Sequence, residues 1–306
     1  MKRTLTTATA GLAALALVGT LAACSSPDAL SGEDPAGGSS ETLTIGSANF
    51  SENVILAHIY AAALNDAGIE TTVKPNIGSR EVFVPALEDG SIDLIPEYSG
   101  ALMAFLDPSI DDVFASEEVY ESLGEVLPEG LTMLEMSPAE DKDTLVVTAE
   151  TAQKFKLKSI ADLEPVAGEL VLGGPPETKD RRAGIPGLKT LYNVVFKEFK
   201  SVDLGGPLTV GGLKNGDLDV GLMFTTQPAI AENDFVSLED PNNMSLAENI
   251  VPIVREDQAS DTVVQALNAV SAKLTTEDLI QMNREVEIEK KDPEKVARAF
   301  VDGDVK

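Results

Sequence analysis

The 306-residue chain is poor in the residues that metal and redox sites use most often. It contains one cysteine, Cys24, and one histidine, His58. A single thiol excludes an intrachain disulfide and a cysteine zinc cluster, and a single imidazole excludes a site built on a histidine pair. We therefore expect no metal and no cofactor.

Tryptophan is absent, and phenylalanine and tyrosine together make up only 5% of the chain. An aromatic side chain that the fold places in a cleft is therefore more informative than usual. Basic residues are also few, because 23 lysines and arginines stand against 51 acidic residues, for a net charge of −28. This charge has the wrong sign for neutralising phosphates, so we expect no nucleic acid partner.

The first 24 residues are typical of a secretory signal. Lys2 and Arg3 precede an apolar run over residues 11–21, which is too short to span a bilayer. Residues 21–24 (LAAC) match the bacterial lipobox, which implies cleavage before Cys24 and a diacylglycerol on its sulfur. Residues 24–41 are rich in Ser, Gly, Pro and Asp and indicate a flexible tether. The sequence thus predicts an extracytoplasmic protein that Cys24 anchors to the cell membrane.

The rest of the chain alternates between strand and helix patterns. Residues 42–46 predict a strand, residues 52–66 a helix, and residues 73–76 and 92–95 two further strands. This alternation continues to about residue 200. It predicts the α/β class with mostly parallel sheets.

Two segments repeat one another, since residues 86–99 align without gaps with residues 212–225. In both, a helix stops at a glycine, a strand follows, and an aromatic and a hydroxyl residue come at the strand's end: Tyr98 with Ser99, and Phe224 with Thr225. Ligand crevices of open α/β sheets lie beyond the carboxyl ends of the strands. We expect Tyr98 and Phe224 to face a cleft, one from each lobe. The alternative is a chance repeat of a common helix-glycine-strand motif.

Four further segments carry a resemblance to a known family: GSANFSEN (residues 46–53), GSREVFVPALEDGSIDLIPEYSG (78–100), PETKDRRAGIPGL (176–188) and LMFTT (222–226). With the lipobox, the chain resembles the glycine betaine/choline (osmoprotectant) substrate-binding lipoproteins of ABC transporters from about residue 42 to 255. The resemblance implies a two-lobed, periplasmic-binding-protein-like (type II) fold with crossover hinge strands near residues 142–147 and 250–254. Lobe one would comprise residues 42–141 plus 251–306, and lobe two residues 142–250.

In proteins of that family a quaternary ammonium group lies among several aromatic rings, whose faces attract the cation. Tyr98 and Phe224 match two of the family's aromatic positions. Two other aromatic positions of the family are not aromatic here. Leu145 stands at one of them, and the other falls where this chain has Glu248 and Asn249. The pocket therefore departs from the family pattern, and its ligand need not be the family's usual one.

The resemblance also points to polar ligand contacts. Arg181 matches a family arginine whose guanidinium fork could hold a carboxylate, although Arg182 is the adjacent alternative and either could be a solvated loop residue. Asp143 could oppose the ammonium charge or cap the crossover turn. The remaining candidates offer hydroxyl or amide groups at strand-to-helix turns: Ser47, Asn49, Ser99 and Thr225, with Thr226 beside them.

An enzyme is disfavoured, because no nucleophile is paired with a base and no G-x-S-x-G motif is present. His58 lies in the first helix among apolar residues, which is typical of a packed helix residue. The resemblance implies a binding component of an ABC importer, which captures a small osmolyte between two lobes and delivers it to a permease, and we expect it to be a monomer. The alternatives are the same fold with an amino acid or a larger aromatic compound as ligand, and a solute-sensing surface lipoprotein.

Overall fold

The computed structural model describes residues 42–110 and 112–303. The predicted signal peptide, Cys24 and the tether lie outside these residues. The strands are β1 (Leu43–Ala48), β2 (Thr71–Gly78), β3 (Leu94–Tyr98), β4 (Leu131–Met133), β5 (Asp143–Thr148), β6 (Val171–Gly174), β7 (Glu198–Ser201), β8 (Val220–Phe224), β9 (Phe235–Ser237) and β10 (Ile250–Arg255). The helices are α1 (Ser51–Asp66), α2 (Arg80–Glu88), α3 (Ser99–Leu106), α4 (Ser116–Val126), α5 (Ala149–Phe155), α6 (Ile185–Tyr192), α7 (Pro207–Asn215), α8 (Pro228–Glu232), α9 (Asp261–Lys273), α10 (Thr276–Glu287) and α11 (Pro293–Asp302).

The strands form two five-stranded sheets of the same topology, one in each lobe. Their orders are β2-β1-β3-β10-β4 and β7-β6-β8-β5-β9. In each sheet, the first three strands are parallel and the last two pairings are antiparallel. Four of the five strands in each sheet therefore run in the same direction, as expected, and only β10 or β5 runs the other way. The antiparallel strands β5 and β10 follow the two crossings between the lobes, as the type II fold requires.

The register places the repeated segments in equivalent positions. β3 pairs with β10, so that Tyr98 lies opposite Ile250, and β8 pairs with β5, so that Phe224 lies opposite Asp143. Each aromatic residue thus ends a central strand and faces the start of a crossover strand. Ile250 belongs to the first sheet, one residue before the boundary that the sequence predicts.

Helix α1 is the longest helix of the described residues and packs on the first sheet. It is buried around most of its circumference, which fits its apolar composition on all sides. It packs against β1, β2 and the C-terminal helices α9, α10 and α11. His58 lies half-buried on this helix, and burial lowers its pKa, so it is a neutral helix residue at pH 7.

A close backbone approach brings α3 against the segment before β10. A Cβ atom at Gly100 would lie 2.5 Å from the carbonyl oxygen of Ala247, so only glycine fits here. The Gly100 N–H donates to that oxygen at 3.0 Å. This contact fixes Glu248, the next residue, beside the first turn of α3. Within residues 42–110 and 112–303, no helix has the length and apolar character needed to cross a membrane.

Candidate ligand-binding site

A cavity of about 810 Å³ lies at the carboxyl ends of the central strands of both sheets. Lobe one contributes Phe50 and Tyr98 to its wall, and lobe two contributes Arg181 and Phe224. The cleft that the strand-end rule predicts is therefore present, and the chain's two repeated aromatic residues both line it.

Three aromatic rings meet in this cavity, and we call Phe50, Tyr98 and Phe224 the aromatic triad. The ring centroids are 4.8 Å apart for Phe50 and Phe224, 5.9 Å for Phe50 and Tyr98, and 6.4 Å for Tyr98 and Phe224. The Tyr98 and Phe224 rings are within 10° of parallel. Because the centroids are so close, one cation can lie within about 6 Å of all three, the range of cation–π attraction.

Phe50 is a site residue that the sequence analysis did not single out. It follows β1 and immediately precedes α1. Because β1 is the parallel neighbour of β3, the residues after both strands lie at the same edge of the sheet. The signal in the sequence is its place in the GSANFSEN segment, directly after the strand that residues 42–46 predict.

The Tyr98 ring is held from behind by a buried carboxylate. Its hydroxyl donates to Glu52 Oε1 at 2.8 Å. The second oxygen, Glu52 Oε2, accepts hydrogen bonds from Thr226 Oγ1 and Asn283 Nδ2, both at 2.6 Å. All four side chains are at most 4% exposed. Since Thr226 follows β8, Glu52 connects an aromatic ring of lobe one to lobe two.

Asp141 adds a second carboxyl group to this network. Its Oδ1 accepts the Thr226 N–H and the Thr225 hydroxyl, each at 3.0 Å, while its buried Oδ2 has no partner among the described residues. Burial raises the pKa of both acids, and the charge of Glu52 raises that of Asp141 well above its usual range. Burial and the charge of Glu52 therefore both favour the protonated form of Asp141.

A charged wall adjoins the triad. Arg80 donates to Glu97 Oε2 at 2.8 and 3.2 Å, and the same oxygen accepts the Tyr98 N–H at 2.8 Å. Glu248 Oε2 accepts the Ala101 N–H at 3.0 Å. Burial, followed by the charge of Asp143, raises the pKa of Glu248 well above its usual range.

Asp143 lines the cavity opposite Phe224 in the strand ladder. Burial raises its pKa to about 6, and the nearby guanidinium groups of Arg80 and Arg181 partly offset this rise. The carboxyl group is therefore mostly ionised at neutral pH but titrates in a mildly acidic medium.

Five of the eight ligand contacts that the sequence predicts line the cavity: Asn49, Tyr98, Asp143, Arg181 and Phe224. The guanidinium of Arg181 contacts Glu81 across the cleft, with Nη2 3.1 Å from Oε2. Arg182 is not part of the lining and donates instead to the carbonyl oxygen of Asn243 at 3.2 Å. Of the two arginines, Arg181 is the one that lines the cavity.

The three hydroxyl residues Ser47, Ser99 and Thr225 do not line the cavity. Ser47 donates to the carbonyl oxygen of Ala48, and Ser99 accepts the Asn249 N–H at 3.1 Å. The hydroxyl of Thr225 donates to Asp141. They brace the strand ends behind the wall, and their role as ligand contacts remains a prediction.

The positions that depart from the family pattern have different surroundings. Leu145 is buried in the core of lobe two, and Asn249 is buried with its Nδ2 donating to the Ser137 carbonyl oxygen at 3.0 Å. Neither residue lines the cavity, whereas Glu248 does. Of the three residues at these positions, Glu248 is therefore the one that changes the cavity wall, and it adds a carboxyl group there.

The comparison with known families agrees with this geometry. Residues 41–303 match the family described as the substrate binding domain of ABC-type glycine betaine transport system. The chain belongs to this family. It is a substrate-binding protein of ABC transport and not an enzyme. In the described part of the chain, no group of three or more Asp, Glu, His or Cys side chains could hold a metal ion.

Individual relatives are distant but cover nearly the whole chain. The glycine betaine-binding protein YehZ of Escherichia coli is 25% identical, over 85% of this chain and 89% of its own. A glycine-betaine-binding protein of Pseudomonas aeruginosa is 28% identical, over 85% and 87%. A crystal structure described as a glycine betaine/carnitine/choline ABC transporter superposes with a TM-score of 0.66 at 22% identity, over 85% of this chain and 98% of that one. The superposition confirms the two-lobed fold.

Proposed function

We propose that the protein captures a small osmolyte with a quaternary ammonium group, of the glycine betaine or choline kind, and delivers it to an ABC permease. The observation that carries this proposal is the aromatic triad, in which two rings come from lobe one and one comes from lobe two. A quaternary ammonium has no N–H to donate, so ring faces are the groups best suited to hold it.

The division of the triad between lobes supports a delivery mechanism. A ligand that touches Phe50, Tyr98 and Phe224 at once contacts both lobes only when they are close together. It therefore favours the closed arrangement by the difference in its affinity for the two states. A permease that recognises the closed arrangement would then receive loaded protein in preference to empty protein.

We assign supporting roles to three polar residues of the cavity wall. Asp143 opposes the ammonium charge from its position opposite Phe224. Asn49 lies in the turn between β1 and α1 and offers an amide to the polar end of the ligand. Arg181 could hold a ligand carboxylate only by releasing Glu81.

We further propose that lobe one comprises residues 42–141 and 251–306, and lobe two residues 142–250, and that the protein is a monomer.

Cys24 is proposed as the lipidated residue that anchors the chain outside the cytoplasm. It lies outside the described residues, and the LAAC segment supports this assignment. Fractionation of cells that carry Cys24→Ser tests the anchor. Release of the variant from the membrane fraction is the expected result, and full retention would contradict it.

Calorimetric titration of the purified protein with glycine betaine, choline, carnitine, proline betaine and proline tests the ligand class. We expect saturable binding of at least one quaternary ammonium compound, and weaker binding in Phe224→Ala because a ring of the triad is removed. Binding of proline alone would contradict the proposal and favour an amino acid ligand. Equal affinity in the variant would contradict the role of the triad in holding the ammonium group.

A further inference from the structure

The cationic side chains of the cavity wall are already engaged by the protein. Within the described residues these are Arg80, Arg181 and Lys290. Arg80 is paired with Glu97, and Arg181 with Glu81. The Lys290 amine donates to a backbone carbonyl oxygen at 2.6 Å. A ligand carboxylate would therefore have to compete with an existing partner for either guanidinium group.

Two carboxylates of the same wall, by contrast, have no ion-pair partner within the described residues. Glu248 is only 3% exposed, and its Oε1 accepts no hydrogen bond from the part of the chain that the structure describes. The Asp143 carboxylate likewise makes no hydrogen bond or ion pair there. Burying charges that lack a partner is costly unless a ligand supplies the opposite charge.

Both carboxylates belong to segments that lie beside the triad. Asp143 faces Phe224 across the strand ladder. Glu248 accepts the N–H of Ala101, three residues after Tyr98. The charge of Asp143 therefore adjoins the rings that would hold the ammonium group. A bound cation would also favour the ionised form of Glu248, which burial disfavours in the empty cavity.

We propose that Asp143 and Glu248 form a counter-charge pair that makes this site select a ligand of net positive charge over a zwitterion of similar size. The preferred class is a quaternary ammonium alcohol or its ester. This inference rests on the proposed function. A zwitterion brings a carboxylate into a cavity that already holds Asp143 and Glu248, while the guanidinium groups of Arg80 and Arg181 are already paired with Glu97 and Glu81.

Three probes of similar size separate the contributions of charge and shape. Choline is a cation, glycine betaine carries the same trimethylammonium group with a carboxylate, and 3,3-dimethylbutan-1-ol is the uncharged carbon analogue of choline. In calorimetric titrations at pH 7.5 we expect choline to bind at least about 10-fold more tightly than glycine betaine. We expect the neutral alcohol to bind more weakly than choline.

Glu248→Gln and Asp143→Asn keep the shape of the two side chains and remove their charge. Each is expected to weaken choline binding by about 10-fold and to leave glycine betaine binding unchanged or tighter. Glu198→Gln, on the exposed strand β7, makes the same change in net charge away from the cavity and is expected to leave both affinities unchanged. Thermal unfolding of each variant establishes that it is folded. The comparison of the three probes on wild-type protein tests the proposal even if a variant does not fold.

Glycine betaine that binds wild-type protein as tightly as choline, or more tightly, would overturn this inference and leave the proposed function standing. Equal effects of the two substitutions on choline and glycine betaine would also overturn it. Failure of wild-type protein to bind any quaternary ammonium compound would overturn the proposed function and this inference with it.

Discussion

The hydroxyl group of Tyr98 donates a 2.8 Å hydrogen bond to the buried carboxylate of Glu52. This bond fixes the orientation of the ring from its far side, so the tyrosine is held without using the surface that faces the cavity. The other oxygen of Glu52 accepts a hydrogen bond from Thr226 of lobe two. One carboxylate thus positions a ring of the cavity wall and joins the two lobes.

Two substitutions of Tyr98 distinguish the contribution of its ring to ligand affinity from that of its hydroxyl group. Tyr98→Ala is expected to weaken binding of a quaternary ammonium ligand by about 0.5–2 kcal/mol, or roughly 2- to 30-fold, because one cation–π contact is lost. Tyr98→Phe keeps the ring and should lose less affinity. Titration calorimetry checks both variants, and wild-type affinity in Tyr98→Ala would contradict the role of the ring.

Thr226→Val should loosen the connection between the lobes. The variant keeps the side-chain shape but removes the 2.6 Å hydrogen bond to a buried carboxylate. We expect a loss of about 1–3 kcal/mol in the free energy of unfolding. Thr72→Val, at an exposed strand position, is the matched control. Denaturant unfolding measures both, and equal stability of the two variants would show that the Thr226 bond contributes nothing.

Phe50 is expected to contribute to binding as an aromatic ring and not only as an apolar side chain. Phe50→Leu keeps most of the apolar volume and removes the π system, so it should weaken choline binding by about 0.5–2 kcal/mol. Phe155→Leu, on α5 of lobe two and outside the cavity lining, should leave the affinity unchanged. If both variants bind choline like the wild type, Phe50 is not part of the cation site.

The contact between Arg181 and Glu81 is expected to act as a weak clasp across the cleft. Both side chains are partly exposed, so the pair should contribute only about 0.2–1 kcal/mol and weaken with added salt. Arg181→Gln and Glu81→Gln should therefore change ligand affinity by similar small factors, and the double variant should resemble either single one. A loss of glycine betaine binding in Arg181→Gln alone would assign the arginine to the ligand carboxylate instead.

Choline affinity should depend on pH through Asp143, which is surrounded by Arg80, Arg181 and Glu248. Its pKa of about 6 means that the carboxyl is largely protonated at pH 5 and ionised at pH 7.5. A bound cation favours the ionised form, so affinity should rise with pH through about 6. Choline does not titrate in this range. Calorimetry between pH 5 and 8 measures the trend, and Asp143→Asn should flatten it; constant or falling affinity in the wild type would contradict this role.

The same shift affects the stability of the unliganded protein. The folded-state pKa of Asp143 is raised above the ordinary value, so the folded chain binds the proton more tightly than the unfolded chain. The stabilisation of the folded state by the protonated Asp143 carboxyl is present in full below about pH 4 and is lost as the pH rises through about 6. Asp143→Asn should therefore raise the melting temperature relative to the wild type more at pH 7.5 than at pH 5. The opposite order in thermal unfolding would contradict the shift.

The parts of the fold that follow from local patterns could be predicted from the sequence. The strand-end rule and the repeat of residues 86–99 in residues 212–225 placed Tyr98 and Phe224 in one cavity. The direction of β5 and β10 could not be read from residues 143–148 and 250–255, because a buried apolar strand has the same pattern in either direction.

Contacts between segments that are distant in the chain could not be predicted from the sequence. Glu52 and Asn283 are 231 positions apart, and nothing in either segment indicates that their side chains meet. Arg181 has the residue type of a carboxylate anchor, but its contact with Glu81 depends on how the two lobes come together. Glu248 was recognised as a departure from the family pattern, and only the fold shows that its carboxylate lines the cavity.

The most direct test of the central claim is a crystal structure of the protein with choline bound. The account predicts that the quaternary nitrogen lies within about 6 Å of the ring centroids of Phe50, Tyr98 and Phe224, with both lobes in contact with the ligand. A ligand bound outside the triad, or held by one lobe only, would contradict it.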